Sequence, residues 1–446
     1  MEKKKVVEII SDCLSRTEGI DFEIFLSRKK VLSIGIKDGN VDHFRSSREI
    51  GLALRVLKRG RAGFAYLFGP TLEGLEHLAD RAIELAGQTD VDPNYSFRPE
   101  ARLEPSDLEL FDASLTTIPN KDKIAHVREM EHSALSSDPR IKKARRAEYE
   151  EVTNHVSLTN SRGLDLEREG THCSMSIMVL AEDNDSSEMG WELGNARYYT
   201  DLDPARIGLC AARRALQMLG SRQISTCRCP SILEDTVVID MLGAWASSFF
   251  GENVYKGKSF LSDKLNEIVA SPRIRLIDDG LYPRGMGSAP FDDEGTPQTR
   301  TILVQDGRLI SYLFDRYWSK KMDSEPTGNS FRTKIAAPPA ISVSNFFVDP
   351  GTSTPEQLLS KMDTGFFITE VMGAHTIDPV SGDFSLGASG MWIDKGKPSF
   401  PVKGVTISGT IYDLFSAVEE VGDSLKFIGR IGAPSLLVKE IIISGL

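Results

Sequence analysis

The 446-residue chain lacks any apolar run near the roughly 18 residues that a membrane-spanning helix requires. Its first residues, Met1-Glu2-Lys3-Lys4-Lys5, lead into a charged amphipathic segment without the cleavage pattern of a secretory signal. These absences predict a cytoplasmic protein that makes no membrane contact. Cysteine is scarce and odd in number: Cys13, Cys173, Cys210, Cys227 and Cys229 are scattered, which argues against a disulfide framework and fits a reducing compartment. Cys227 and Cys229 form a lone C-x-C with no second pair and no nearby histidine, short of the ligands a structural zinc requires. Positive charge is also deficient. The 53 Lys and Arg face 64 Asp and Glu, a net charge of -11, so the chain repels a phosphate backbone and nucleic acid is not expected as a direct partner. The basic runs at 3–5 and 142–146 are short and free of aromatics, the pattern of solvated surface.

Familiar catalytic spacings are missing as well. From Gly251 to Gly257-Lys258-Ser259, five residues separate the glycines where a phosphate loop needs four. There is no G-x-S-x-G nucleophile elbow. No histidine is followed by glutamate, so no H-E-x-x-H pair can present two imidazoles to a zinc ion. His126 and His132 are six residues apart, which at about 100° per residue puts them on different helix faces. His43, His77, His155 and His172 stand alone and read as structural.

What is present alternates between two periodicities. Val6, Val7, Ile9, Ile10, Cys13 and Leu14 recur at helical spacing; Asp38-Gly39 and Arg59-Gly60 then sit between alternating runs as hairpin turns, which predicts a meander of about five strands. A helix opens at Thr71, with Leu72, Leu75, Leu78, Ala79, Ala82, Ile83 and Ala86 on one side, and ends at Gly87. Residues 88–119 hold Pro93, Pro99, Pro105 and Pro119 and read as a connector. The plan then repeats: a helix with Ile124, Val127 and Ala134, strands at 152–159, 164–169, 173–180 and 191–199, and a helix with Asp203 as N-cap, Pro204 in its first turn and Gly220 beyond its end. From Cys229 onward strands dominate, at 299–304, 308–314, 341–348, 366–371, 391–393 and 402–408, with helices near 241–250, 355–362 and 411–421.

Helices and strands do not strictly alternate, so the fold class is α+β: two helix–meander–helix units, then a strand-rich domain with a few helices. The expected domains are 1–105, 106–226 and 227–446.

Two segments suit ligand or partner contact. Residues 372–390 gather small and polar groups between two strands, and His375, Asp378, Ser381 and Asp383 can hydrogen-bond a ligand or merely water. In Thr327-Gly328-Asn329-Ser330-Phe331-Arg332, Arg332 can grip a carboxylate, with Asn329 beside it; a turn carrying a surface salt bridge is the alternative.

Read in order, Gly51-Leu52-Ala53-Leu54-Arg55-Val56, Leu158-Thr159-Asn160-Ser161-Arg162-Gly163, Lys256-Gly257-Lys258-Ser259-Phe260, Phe291-Asp292-Asp293-Glu294-Gly295, residues 327–332 and 373–390, and Pro401-Val402-Lys403-Gly404-Val405 form a colinear set. The set resembles the TldD/PmbA family, also called modulators of DNA gyrase, over nearly the whole chain. The resemblance implies a metallopeptidase system of two related subunits, linked to maturation of microcin-type peptides and turnover of antitoxins. In TldD-type subunits an H-E-x-x-x-H helix and a C-terminal cysteine bind the metal. Alignment on Lys256-Gly257 sets Leu242 and Ser247 at the histidine positions and Gly243 at the glutamate, and no cysteine follows Cys229. Leucine offers no lone pair and glycine takes no proton from water, so the resemblance implies a PmbA/TldE-type chain with no catalytic residue, metal ligand or cofactor of its own. It implies zinc only in a TldD-like partner, a peptide substrate, and a homodimer when the chain is isolated. A stand-alone peptidase or amidase built around His375, and a non-enzymatic protein regulator of gyrase, remain the alternatives.

Overall fold

The computed structural model of the chain describes residues 2–99 and 107–446. The expected domain boundary at 105/106 and Pro105 lie outside the described residues.

The first unit runs α1 (Lys3–Ser15), β1 (Ile20–Lys37), β2 (Asn40–Lys58), β3 (Arg61–Phe68) and α2 (Leu72–Gly87). Both expected hairpins form, and each central pair has positive φ: 52° and 74° at Asp38-Gly39, 52° and 78° at Arg59-Gly60. This twist matches that of the flanking strands. The meander holds three strands rather than about five. Residues 42–49 are polar apart from Phe44 and interrupt the alternation, yet the ladder with β1 continues through them, pairing Val31 with Ser47 and Lys29 with Glu49. The second unit runs α3 (Asn120–Ser136), β4 (Ile141–Asn160), β5 (Asp165–Asp183), β6 (Ser186–Ala196) and α4 (Pro204–Gln217). The strands expected at 164–169 and 173–180 are one, β5. Asp203 caps α4, accepting the Arg206 N–H, and Pro204 fills its first turn.

The two units share one sheet, ordered β3-β2-β1-β4-β5-β6, joined where β1 and β4 pair antiparallel. β1 also serves two cores. Ile24 and Leu26 pack with Val6, Ile10 and Leu75 of the first unit, whereas Leu32, Ile34 and Ile36 pack with Val127, Met130 and Ala211 of the second. Each closing helix approaches its sheet through a glycine. A Cβ on Gly63 of β3 would stand 2.0 Å from the Ala82 carbonyl oxygen, and one on Gly190 of β6 would stand 2.2 Å from that of Ala211.

The remaining chain comprises β7 (Cys227–Leu233), α5 (Asp235–Trp245), α6 (Gly251–Tyr255), β8 (Leu276–Asp279), β9 (Arg300–Gln305), β10 (Arg308–Leu309), α7 (Arg316–Lys321), β11 (Ser330–Phe331), β12 (Ala340–Ile341) and β13 (Phe346–Val348). It continues with α8 (Pro355–Met362), β14 (Gly365–Met372), β15 (Asp383–Asp394), β16 (Lys397–Thr410), α9 (Ile411–Ser416), β17 (Val418–Val421), β18 (Lys426–Ile428), β19 (Ile431–Ala433) and β20 (Leu436–Ser444). One sheet is ordered β10-β9-β8-β13-β19-β18; a second, β16-β15-β14-β7-β20-β17, curls until β16 also pairs with β20. Their apolar faces enclose the largest core, with Trp245, Phe249, Phe346, Phe366 and Phe415 at its centre.

The class is α+β, as expected, with local corrections. The helix expected at 411–421 stops at Ser416 because Val418 and Val421 pair with Val438 and Leu436. The strand expected at 391–393 begins at Asp383, since the small residues 387–390 carry ladder bonds between β14 and β16. The strand expected at 341–348 splits in two. Among the described residues no helix is long and apolar enough to cross a membrane.

Gly190→Ala should destabilise the chain by about 1–3 kcal/mol through overpacking against α4. Gly87→Ala, where a Cβ would meet nothing within 4 Å, should leave the melting temperature unchanged or slightly raised. Thermal denaturation of both variants checks this.

Candidate functional site

The turn Phe291-Asp292-Asp293-Glu294-Gly295 fastens the C-terminal part to the N-terminal sheet. Asp292 holds its shape: Oδ1 accepts the N–H groups of Glu294 and Thr296, each at 2.9 Å, and Oδ2 that of Ser330 at 3.0 Å. Its two neighbours then face arginines of the sheet. Arg168 on β5 donates from Nη2 to Asp293 Oδ1 at 2.5 Å and from Nη1 to the Phe291 carbonyl. Arg55 on β2 donates from Nη1 to Glu294 Oε1 at 2.8 Å, and from Nε and Nη2 to Glu23 Oε1 on β1 at 2.9 and 2.7 Å. Glu23 has no exposed side-chain surface, so this pair operates away from water, where one partner alone would be an uncompensated buried charge.

Asn329 and Arg332 lie beside this junction, in the interior. The Asn329 Nδ2 donates to Asp278 Oδ1 at 2.8 Å and to the Ser342 carbonyl at 3.1 Å. Asp278 also accepts from the Ser344 hydroxyl and N–H at 2.5 and 2.8 Å, and burial raises its carboxyl to about 6. The Arg332 backbone N–H donates to Asp293 Oδ2 at 2.6 Å and its Nη1 to the Ala337 carbonyl at 2.8 Å. Its guanidinium stacks 4.9 Å from the Phe25 ring centre, and its Nε and Nη2 have no hydrogen-bond partner among the described residues.

The other four candidates occupy the exposed connection between β14 and β15. His375 lies in a single 3₁₀ turn, Ala374–Thr376. Asp378 Oδ1 accepts the N–H groups of Ser381 at 3.0 Å and Val380 at 2.7 Å, which hold its carboxyl below the usual range. The Ser381 hydroxyl donates to Asp383 Oδ2 at 2.6 Å. Asp378, Ser381 and Asp383 thus close one turn on itself, and no hydrogen bond links that turn to Asn329 or Arg332.

Helix α5 occupies the place where the resemblance would put a metal-binding helix. Leu242 is fully buried in the core with Trp245 and Phe249. Gly243 is exposed and offers only backbone. The Ser247 carbonyl accepts from Asn253 Nδ2 at 2.8 Å. Among the described residues no three His, Cys, Asp or Glu side chains gather as a metal-holding group. The residues at this helix do not fit a zinc ion.

Two clefts flank the junction. One, of about 690 Å³, lies between the first unit and α7 and is walled by Tyr95, Phe97, Tyr317 and Trp318, with Asp315 and Glu294 at its edge. Asp315 caps α7, accepting the Trp318 N–H at 2.7 Å; burial and the nearby Glu294 push its carboxyl up to about 7. The other, of about 340 Å³, lies under β1, β4 and β5 and is lined by several arginines, Arg332 among them. Sequence reasoning missed Asp315, Arg197 and Arg430 as lining residues, and it took Arg55 and the acidic turn only as marks of resemblance. Arg55 and Glu294 are 239 positions apart, and no local pattern announces such a pair.

Asp315 is neutral in the folded chain below about pH 7 and ionises near 3.8 when unfolded, so the stability it contributes is complete below about 3.8 and is lost as pH rises through 7. Asp315→Asn keeps the helix cap but removes that ionisation. The melting-temperature difference, variant minus parent, should climb between about pH 4 and 7 and level off above; a constant difference would refute the buried ionisation.

Three family models match the chain in series: PmbA/TldA metallopeptidase domain 1 at residues 22–86, the central domain at 113–219 and the C-terminal domain at 226–445. The metalloprotease PmbA of Escherichia coli O157:H7 is 26% identical, covering 100% of this chain and 97% of its own. A metalloprotease of Methanothermobacter thermautotrophicus is 27% identical over 95% of this chain and 93% of its own. A crystal structure from Thermotoga maritima, described as a modulator of a DNA gyrase, superposes with TM-score 0.91 at 28% identity, covering 99% of this chain and 100% of that one. TldE from Thermococcus kodakarensis shares the fold, with TM-score 0.87 at 20% identity over 99% of each chain. The matched domains, their order and their coverage place this chain in the PmbA/TldD family.

Proposed function

We propose that this chain is the TldE-type, non-hydrolytic subunit of a two-component cytoplasmic peptidase whose zinc resides in a TldD-type partner. The observation that carries this reading is α5. Relatives bear the name metalloprotease, yet here the helix buries Leu242, leaves Gly243 bare and offers a lone hydroxyl at Ser247, so it supplies neither a ligand set nor a general base. Its side chains instead build the core that supports β14 and β19.

The role left to the fold is to bind the partner and to hold an extended peptide. One feature supports peptide holding. β3 pairs only with Gly51 to Lys58 of β2, so the outer edge of β2 over residues 40–49 faces no strand among the described residues. Free backbone donors and acceptors of this kind receive an extended peptide as an added strand. Isolated from its partner, the chain would pair with itself as a homodimer.

Mixing the purified chain with a TldD-type subunit should give a stable heteromeric mass in light scattering and cleavage of an unfolded peptide, while the chain alone should cleave nothing. Cleavage by the rigorously purified chain, or no association on mixing, would overturn the proposal.

A further inference from the structure

The cavity under β1, β4 and β5 is positively charged within an acidic protein. Lys29, Arg168, Arg197, Arg332, Lys334 and Arg430 line it. Among the described residues only three carboxylates, Glu49, Glu169 and Asp293, stand against them, and Asp293 is already engaged by Arg168 and by the Arg332 backbone.

Three of the guanidiniums come from separate elements and have no close carboxylate partner among the described residues. Arg197, just beyond β6, spends its donors on the neutral carbonyls of Thr171, Gly285 and Met286 at 2.8–3.2 Å. Arg430, between β18 and β19, lies 4.8 Å over the Phe331 ring and donates only to the Val343 carbonyl, at 3.3 Å. Arg332, whose side chain is 2% exposed, leaves Nε and Nη2 without hydrogen-bond partners among the described residues; Glu23 comes no nearer than 3.8 Å. The two Arg332 donors, desolvated and without a partner among the described residues, are costly unless an anion meets them, whereas Arg197 and the exposed Arg430 add positive charge that no carboxylate neutralises at close range. The electrostatics agree: burial first and then neighbouring arginines bring Arg197 and Arg332 down to about 10, and burial with Arg197 and Lys29 lowers His172.

We propose that this cavity is a carboxylate-binding site that takes an acidic group of an extended peptide, its C-terminal carboxylate or an aspartate or glutamate side chain. Planar guanidiniums match a carboxylate with paired N–H donors, and the Phe25 and Phe331 rings shield the contact from water. The cavity reaches towards the free strand edge: Glu49, in the stretch of β2 that β3 leaves unpaired, is part of its lining. A peptide added along that edge would lead its charged group inward past Lys29 and Lys334. The assignment rests on the peptide-holding part of the proposed function, but binding by the chain alone tests it, so failure to associate with a TldD-type subunit leaves it standing.

The experiment is fluorescence anisotropy with the full chain and three N-terminally labelled glycine-serine peptides: one with a free C-terminal carboxylate, one amidated, and one amidated with a single internal glutamate. The free-carboxylate or the glutamate peptide, or both, should bind, and which one does identifies the source of the carboxylate. The neutral amidated peptide should bind about tenfold or more weakly. Arg430→Gln should cause a comparable loss. Lys334→Glu, at an exposed position that folding does not require, should do the same and decides the matter if Arg430→Gln lowers the melting temperature. Equal binding of the neutral peptide, or no binding of either acidic peptide, would overturn the proposal.

Discussion

One guanidinium ties the molecule together. Arg55 is held by Glu23 on the neighbouring strand and by Glu294 across the junction, so the N-terminal sheet and the C-terminal part are oriented by charges that neither could bury alone. Arg168 on Asp293 makes a second, parallel tie from β5. Between and beside these ties the two parts cannot close fully, and the space left over becomes the aromatic cleft on one side and the arginine-lined cavity on the other. The cavities follow from the way a polar junction packs: ion pairs need their geometry kept, and residues next to them are held away from contact.

The N-terminal region shows how a duplicated plan becomes one body. Each unit alone would expose the flank of its first strand. Pairing β1 with β4 removes both edges, and the length of β1 lets its two halves serve two different cores. The glycines at 63 and 190 recur at matching places because a helix can approach a strand that closely only where no Cβ intervenes.

Much of this was legible locally. Asp38-Gly39, Arg59-Gly60, Asp203-Pro204 and the helix at 355–362 are signalled within a few residues by turn and cap chemistry, and the structure has them all. What was not legible depends on partners distant in the chain. The polar stretch 42–49 looks like a break in alternation, yet β1 carries it as strand; residues 387–390 look like a glycine loop until β14 and β16 flank them. The candidate site divides the same way. The Asp378 turn is a local motif and could be read as one, whereas residue type alone says nothing of the depth at which Asn329 and Arg332 lie, or of the arginines from β6 and the β18–β19 turn that join Arg332.

The proposed function rests on what α5 carries. Val238, Leu242 and Trp245 fill the core, and the positions at which the resemblance would put two imidazoles and a carboxylate hold Leu242, Gly243 and Ser247, while clustered charge lies at the junction and in its cationic cavity. Calorimetric titration of tag-free chain with zinc tests that division of labour most directly. The account predicts no saturable one-to-one binding; a stoichiometric zinc site weakened by Ser247→Ala would contradict it.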